Sequence, residues 1–215
     1  MARRICNTVD IKNLKPDQEQ IVITDPKTGE MVGYLTDTTF YDYNEIKHAF
    51  EYLDKGLVYG PNRLDMHFGK IHLLNAIKDY QNAGKTLIDL LNLSIVNKNK
   101  WLWSDNEAIN DGENILLDSI QDYYQVWFND WTDDSQDTIY AVCLEQIKLY
   151  PANIYAFNNL TSYYTINEKF DEALSYLLKA EKIDENDIIV LSNIAHYYKV
   201  MGNKEMAKKY YVRQE

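Results

Sequence analysis

Four histidines, His48, His67, His72 and His196, and two cysteines, Cys6 and Cys143, are the side chains that could ligate a transition metal or act as nucleophiles. His67 and His72 stand five apart, not in the i, i+4 pair of a helical zinc site, and no His-Glu-x-x-His occurs. They read as surface or satisfied core histidines. The cysteines have no metal or redox spacing, so no disulfide framework and no redox compartment follow from them. Cys143 reads as an inert buried thiol. "DNEAINDGENILLD" echoes a calcium loop through Asp111, Gly112 and Asp118, but Ile109 holds an early ligand position and a closing Glu is missing. Ser104-x-x-Glu107 is better read as a helix capping box. No glycine-rich phosphate loop exists, and in so acidic a chain a pair of carboxylates is uninformative. Nothing supplies a nucleophile or a general base, so the chain is expected to be no enzyme and to carry no metal or cofactor.

The carboxamides are patterned where the other polar groups are not. "NNLTSYY" begins at Asn158 and "SNIAHYY" at Ser192, an offset of 34, and each sets an amide, an aliphatic residue and a tyrosine pair. A carboxamide donates and accepts at once, so it can pair with any peptide group whatever the neighbouring side chains.

The elements that must position these amides are helices. Ile46, Ala49, Phe50 and Leu53 make one stripe, broken at Gly60-Pro61. Leu64 to Tyr80 and Asn82 to Leu93 follow as two more amphipathic stretches. "NKNKWLWSDNEAINDGEN" reads as a polar loop around two tryptophans. Leu116, Ile120, Tyr123, Trp127 and Trp131 mark a long helix, and Asp137 to Leu149 another, stopped by Pro151. Four further helices fit between Asn153 and the end of the sequence. Residues 1–40 differ: "QIVITDPKTGEMVGYL" reads as a β-hairpin turning at Asp25-Pro26-Lys27-Thr28-Gly29.

Phe157-x2-Leu160-Thr161-x2-Tyr164, then Ala173, Leu177 and Ala180, recurs at the same offset as Leu191-x2-Ile194-Ala195-x2-Tyr198, Ala207 and Tyr211. This pattern resembles the tetratricopeptide repeat. Ile139 and Cys143 continue it upstream, and Ala49-x3-Leu53 and Ala83-x3-Leu87 repeat it again before an insertion, roughly Lys98 to Ser119. "NRLDMHFGKIHLL" is similar to a stretch of bacterial tetratricopeptide proteins that have no assigned activity. The resemblance implies an all-α superhelix of stacked antiparallel helix pairs with a short N-terminal arm. Its segments are 1–40 (arm), 41–97 (degenerate helix pairs), 98–119 (insertion loop and helix start) and 120–215 (repeats). Trp127 departs from the pattern where a small residue is expected, which requires a more open helix pair or a different register.

In the family, first helices line a concave groove. Residues about 200° around the helix from the buried ones face it, because each residue turns about 100°. That selects Asn159, with Gln125 and Asn193 at the equivalent places one repeat before and one repeat after. Tyr124, Asn158, Tyr155, Phe128, Ser162 and His196 fall in neighbouring columns. Such a ladder resembles the asparagine ladder of grooves that hold extended peptides. The lysines and arginines of the carboxylate-clamp version are absent: Tyr155, Ser162, Ile189 and Asn193 stand there. The resemblance therefore implies a scaffold for a protein or peptide partner. The alternative is a self-assembly module, a homo-oligomer formed through an uncapped last repeat.

Composition fits this reading. The net charge of −11 and the scattered lysines speak against a nucleic-acid partner. No apolar run reaches the ~18 residues of a membrane span. As written, the chain is expected in the cytoplasm, and a secreted or periplasmic mature form would look the same. Trp101 and Trp103 are expected to plug a gap in the scaffold, with a sugar or peptide platform as the alternative.

Overall fold

A computed structural model describes residues 20–24, 31–36, 43–97, 100–103 and 108–213, with side chains from residue 46 onward. The hairpin's turn residues, Cys6 and the Ser104–Glu107 pair lie outside these. The described residues divide into two compact units, 1–120 and 121–215.

The first unit begins with β1 (Gln20–Thr24) and β2 (Met31–Thr36), which pair antiparallel from Gln20↔Thr36, with a register shift between Ile23 and Thr24. Three helices follow: α1 (Tyr43–Tyr59), α2 (Leu64–Ala76) and α3 (Tyr80–Asn97). The sequence pattern carries α2 on to Tyr80, but the helix closes sooner. Lys78 turns left-handed (φ 62°), and the Asp79 N–H reaches back to the Leu74 carbonyl at 2.9 Å. Asp79 then accepts from the Asn82 N–H (3.3 Å) and starts α3.

Arg63, just before α2, turns its guanidinium onto Asp65 in the first turn. Nε and Nη2 donate to the two carboxylate oxygens at 2.8 and 2.5 Å, and both residues are buried. The insertion is more ordered than a polar loop. β3 (Trp101–Leu102) pairs with β4 (Ala108–Ile109), and the Leu102 N–H donates to the Asn62 carbonyl at 2.9 Å. Trp101 is buried, with the His67 ring edge-on at 6.2 Å. Gly112, which opens α4 (Gly112–Asn129), lies so close to that indole that a Cβ there would overlap the ring.

The second unit takes in residues 121–129 of α4, then α5 (Asp133–Leu149), α6 (Ile154–Ile166), α7 (Phe170–Glu181), α8 (Ile188–Val200) and α9 (Lys204–Val212). The long helix ends before Trp131. That ring folds back and stacks on Phe128 (centroids 5.7 Å apart, 7° between planes), and Thr132 caps α5 in a reciprocal box with Ser135. α5 therefore begins four residues ahead of Asp137. The helices of 154–212 are antiparallel pairs with buried small residues, Ala173 and Ala207, where each second helix meets its first. Phe157, Leu160, Ala173, Leu177, Leu191 and Ile194 are all buried.

Three further features repeat at the same interval. Tyr164 stacks on Tyr176 (5.5 Å, 17°) and Tyr198 on Tyr210 (5.7 Å, 27°). A cation covers each outer ring, Lys179 at 4.0 Å and Arg213 at 5.1 Å. The α6 and α8 ends close the same way, through Glu168 (φ 58°) and Gly202 (φ 80°), the following N–H returning 2.8 Å to the carbonyls of Tyr164 and Tyr198. Only the glycine holds that conformation without strain. These repeated pairs are tetratricopeptide-like on their own geometry.

Two details differ from the repeat pattern. α4 and α5 keep their backbones apart where α6 and α7 come close, because buried Trp127 fills the place of a small residue. Tyr211, aligned with buried Leu177, is 42% exposed, since no described helix covers it.

Candidate functional site

The outward faces of α4, α6 and α8 carry the amides singled out above. Asn159 is half-buried, and its Nδ2 donates to Gln121 Oε1 at 2.9 Å, which ties α6 to α4. Gln125 is exposed and Asn193 half-buried. Asn158 is half-buried with Oδ1 enclosed, and Gln121 Nε2 is enclosed as well. Neither atom has a hydrogen-bond partner among the described residues. An unpaired donor on Gln121 and an unpaired acceptor on Asn158 thus remain.

The neighbouring columns behave unequally. Tyr155 is 59% exposed on the first turn of α6. Ser162 is exposed, and its hydroxyl donates back to the Asn158 carbonyl at 3.1 Å. His196 is exposed, edge-on to Tyr197 at 6.0 Å. Phe128 is half-buried under Trp131.

Tyr124 is a correction. It is 1% exposed, its hydroxyl donates to Gln146 Oε1 at 3.1 Å and also engages the Cys143 thiol, so it faces the α4–α5 interior rather than the outward face. The space that Trp127 holds open between these helices admits the phenol.

Sequence reasoning passed over the aromatic continuation of this face. Trp131 lies 6.1 Å from Tyr163, which lies 5.4 Å from Tyr140 on α5. The repeated tyrosine pair was the available signal: Tyr163 and Tyr197 are its first members, and the Tyr197 hydroxyl bonds to that of Thr165.

Elsewhere the reactive groups are structurally engaged. His67 bonds through Nε2 to the Pro61 carbonyl at 2.8 Å, and burial lowers its pKa. Among the described residues no three His, Cys, Asp or Glu side chains gather as a metal site. Trp101 is buried, while Trp103 is 38% exposed and edge-on to Phe68 at 6.1 Å. No described helix is long and apolar enough to cross a membrane.

Burial raises the Cys143 thiol from 9.0 to about 12, against a smaller opposing effect of Tyr124. The unfolded chain releases that proton near pH 9 and the folded chain keeps it. Stability from this group is therefore complete below pH 9 and is lost as pH rises towards about 12. Urea midpoints measured from pH 7 to 11 should fall, and Cys143→Ala should flatten part of the fall. An unchanged slope would mean that other groups, such as Tyr210, account for it.

No family model matches the chain, and no curated protein does. Among solved structures it is similar to MamA 41-end from Desulfovibrio magneticus RS-1, at 15% identity and TM-score 0.41, over 79% of this chain and 84% of that one. It is also similar to another crystal structure of MamA protein (17%, TM-score 0.44, 80% and 81%). A third is pilF of Pseudomonas aeruginosa (16%, TM-score 0.40, 80% and 68%). Likeness at this level carries no functional argument.

Proposed function

We propose that the chain is a non-enzymatic scaffold that holds an extended stretch of a partner protein or peptide against the faces of α4, α6 and α8. One observation supports this reading above the others. Gln125, Asn159 and Asn193 recur at the repeat interval, and the amides of Gln125 and Asn193 have no hydrogen-bond partner among the described residues. Such amides cost nothing to leave solvated, and each can exchange water for a peptide N–H and C=O of a bound segment. Exposed Tyr155 and half-buried Phe128 add rigid apolar contact between those bonds.

The Asn159–Gln121 bond changes how the reading must be tested. Asn159→Ala strands a partly buried amide on Gln121, a loss of about 1 kcal/mol of stability. Gln125→Ala with Asn193→Ala is the cleaner pair. The native chain and this double variant, both tagged in the native host, should melt at the same temperature. A partner held by the first and lost by the second is the expected result. A partner held equally by both would remove the groove from the function.

Self-association through the last helix pair is the competing reading. Its support is the exposed apolar surface of Val200, Met201, Tyr211 and Val212. The net charge of −11 opposes close approach of two copies.

A further inference from the structure

A cleft of about 370 Å³ opens at the end of the second unit, lined by Lys199, Lys204, Ala207, Lys208, Tyr211 and Val212. Its origin follows from the repeat. The equivalent positions one repeat earlier are Thr165, Phe170, Ala173, Leu174, Leu177 and Leu178. There the same seat is filled. Ala173, Leu174 and Leu177 share a core cluster with Val190, Leu191 and Ile194 of α8, and Phe170 meets Tyr197 at 6.5 Å. In the later copy the floor remains apolar, but no described helix lies on it: Tyr211 is 42% and Val212 59% exposed.

The rim has gained positive charge. Thr165, Phe170 and Leu174 are replaced by Lys199, Lys204 and Lys208. Among the described residues none of these ammonium groups makes an ion pair or a hydrogen bond, and no carboxylate lines the cleft. Three like charges around an apolar floor, in a chain with 33 acidic and 22 basic residues, are a local field opposite to that of the whole protein. Lys204 and Lys208 stand one turn apart on α9, and Lys199 faces them from α8 across the cleft.

We propose that this cleft seats an acidic amphipathic helix of a partner protein. The partner's apolar stripe takes the place that Val190, Leu191 and Ile194 take one repeat earlier, and its flanking carboxylates meet Lys199, Lys204 and Lys208. The apolar floor supplies the burial, and the rim selects by charge and steers the approach. This seat is separate from the amide column.

The test uses the full chain and a display library of helical peptides. Apolar residues are fixed at i, i+3, i+4 and i+7, and the flanking positions are varied among Glu, Gln and Lys. Selected peptides should carry Glu at the flanks. They should bind K199Q/K204Q/K208Q at least about tenfold more weakly at low salt, with the melting temperature of that variant unchanged. Gln125→Ala with Asn193→Ala should leave their affinity intact, so the cleft and the amide face fail or succeed separately. No preference for Glu over Gln, equal binding to both proteins, or no binder at all would overturn the proposal and leave the lysines as solubilising groups. Sedimentation of the unliganded chain tests a second copy as occupant. A self-association that the lysine variant abolishes and the peptides block would make it a second copy, and would overturn the assignment to a partner protein.

Discussion

Trp127→Ala should destabilise the second unit by about 3–5 kcal/mol, although it restores the small residue that the repeat pattern expects there. The indole is fully buried, stacked with Tyr123 (6.3 Å, 29°) and edge-on to Tyr124 (5.7 Å, 89°). Deleting it removes the largest apolar body on its side of the core and the ring contacts with both tyrosines. The cavity cannot simply close. α4 and α5 are already spaced for a tryptophan, and Tyr124 is fixed by its bond to Gln146. Urea unfolding of the full chain followed by far-UV circular dichroism gives the magnitude. Hydrogen exchange places it, with lost protection expected in α5 and residues 121–129. A near-neutral Ala variant would mean that the helix pair closes to ordinary tetratricopeptide spacing, and that the tryptophan is tolerated there rather than required.

Asp65→Ala should cost a similar amount, about 3–5 kcal/mol, in the first unit. Arg63 and Asp65 side chains are each 5% exposed and joined at two points. Removing the carboxylate leaves a guanidinium that cannot lose its charge in a place that offers little water. Removing both charges is a different experiment. Arg63→Met with Asp65→Leu replaces the pair by apolar groups of similar volume, and should recover most of the loss. The contrast between single and double variants is the informative reading. If the single variant lost less than about 1 kcal/mol, the pair would behave as an exposed one.

Much of the helical plan was legible because its cause is local. Small residues at Ala173 and Ala207, and the stripes around them, state where two helices must meet. The misreadings have equally specific causes. Trp131 continues the spacing of Leu116, Ile120, Tyr123 and Trp127, yet it lies past the helix end and stacks back on Phe128, so it imitates a further turn. Tyr124 sits at a position that should face outward, but the gap propped open by Trp127 draws it inward to Gln146 and Cys143. No periodicity records such a gap. The Asn159–Gln121 bond joins residues 38 apart, and the lysine ring spans two helices, so both depend on packing that a single helical wheel does not contain.

The short closures at Glu168 and Gly202 have a kinetic consequence. Each lies within a three-residue link between paired helices, α6 to α7 and α8 to α9. A link that short costs little loop entropy, and the partners it joins are neighbours along the chain. The pairs can therefore order one after another, each new pair using the one before it as a template. An intermediate on that route is a shorter array of finished pairs, with its next seat open to water, rather than a collapsed chain searching for its fold.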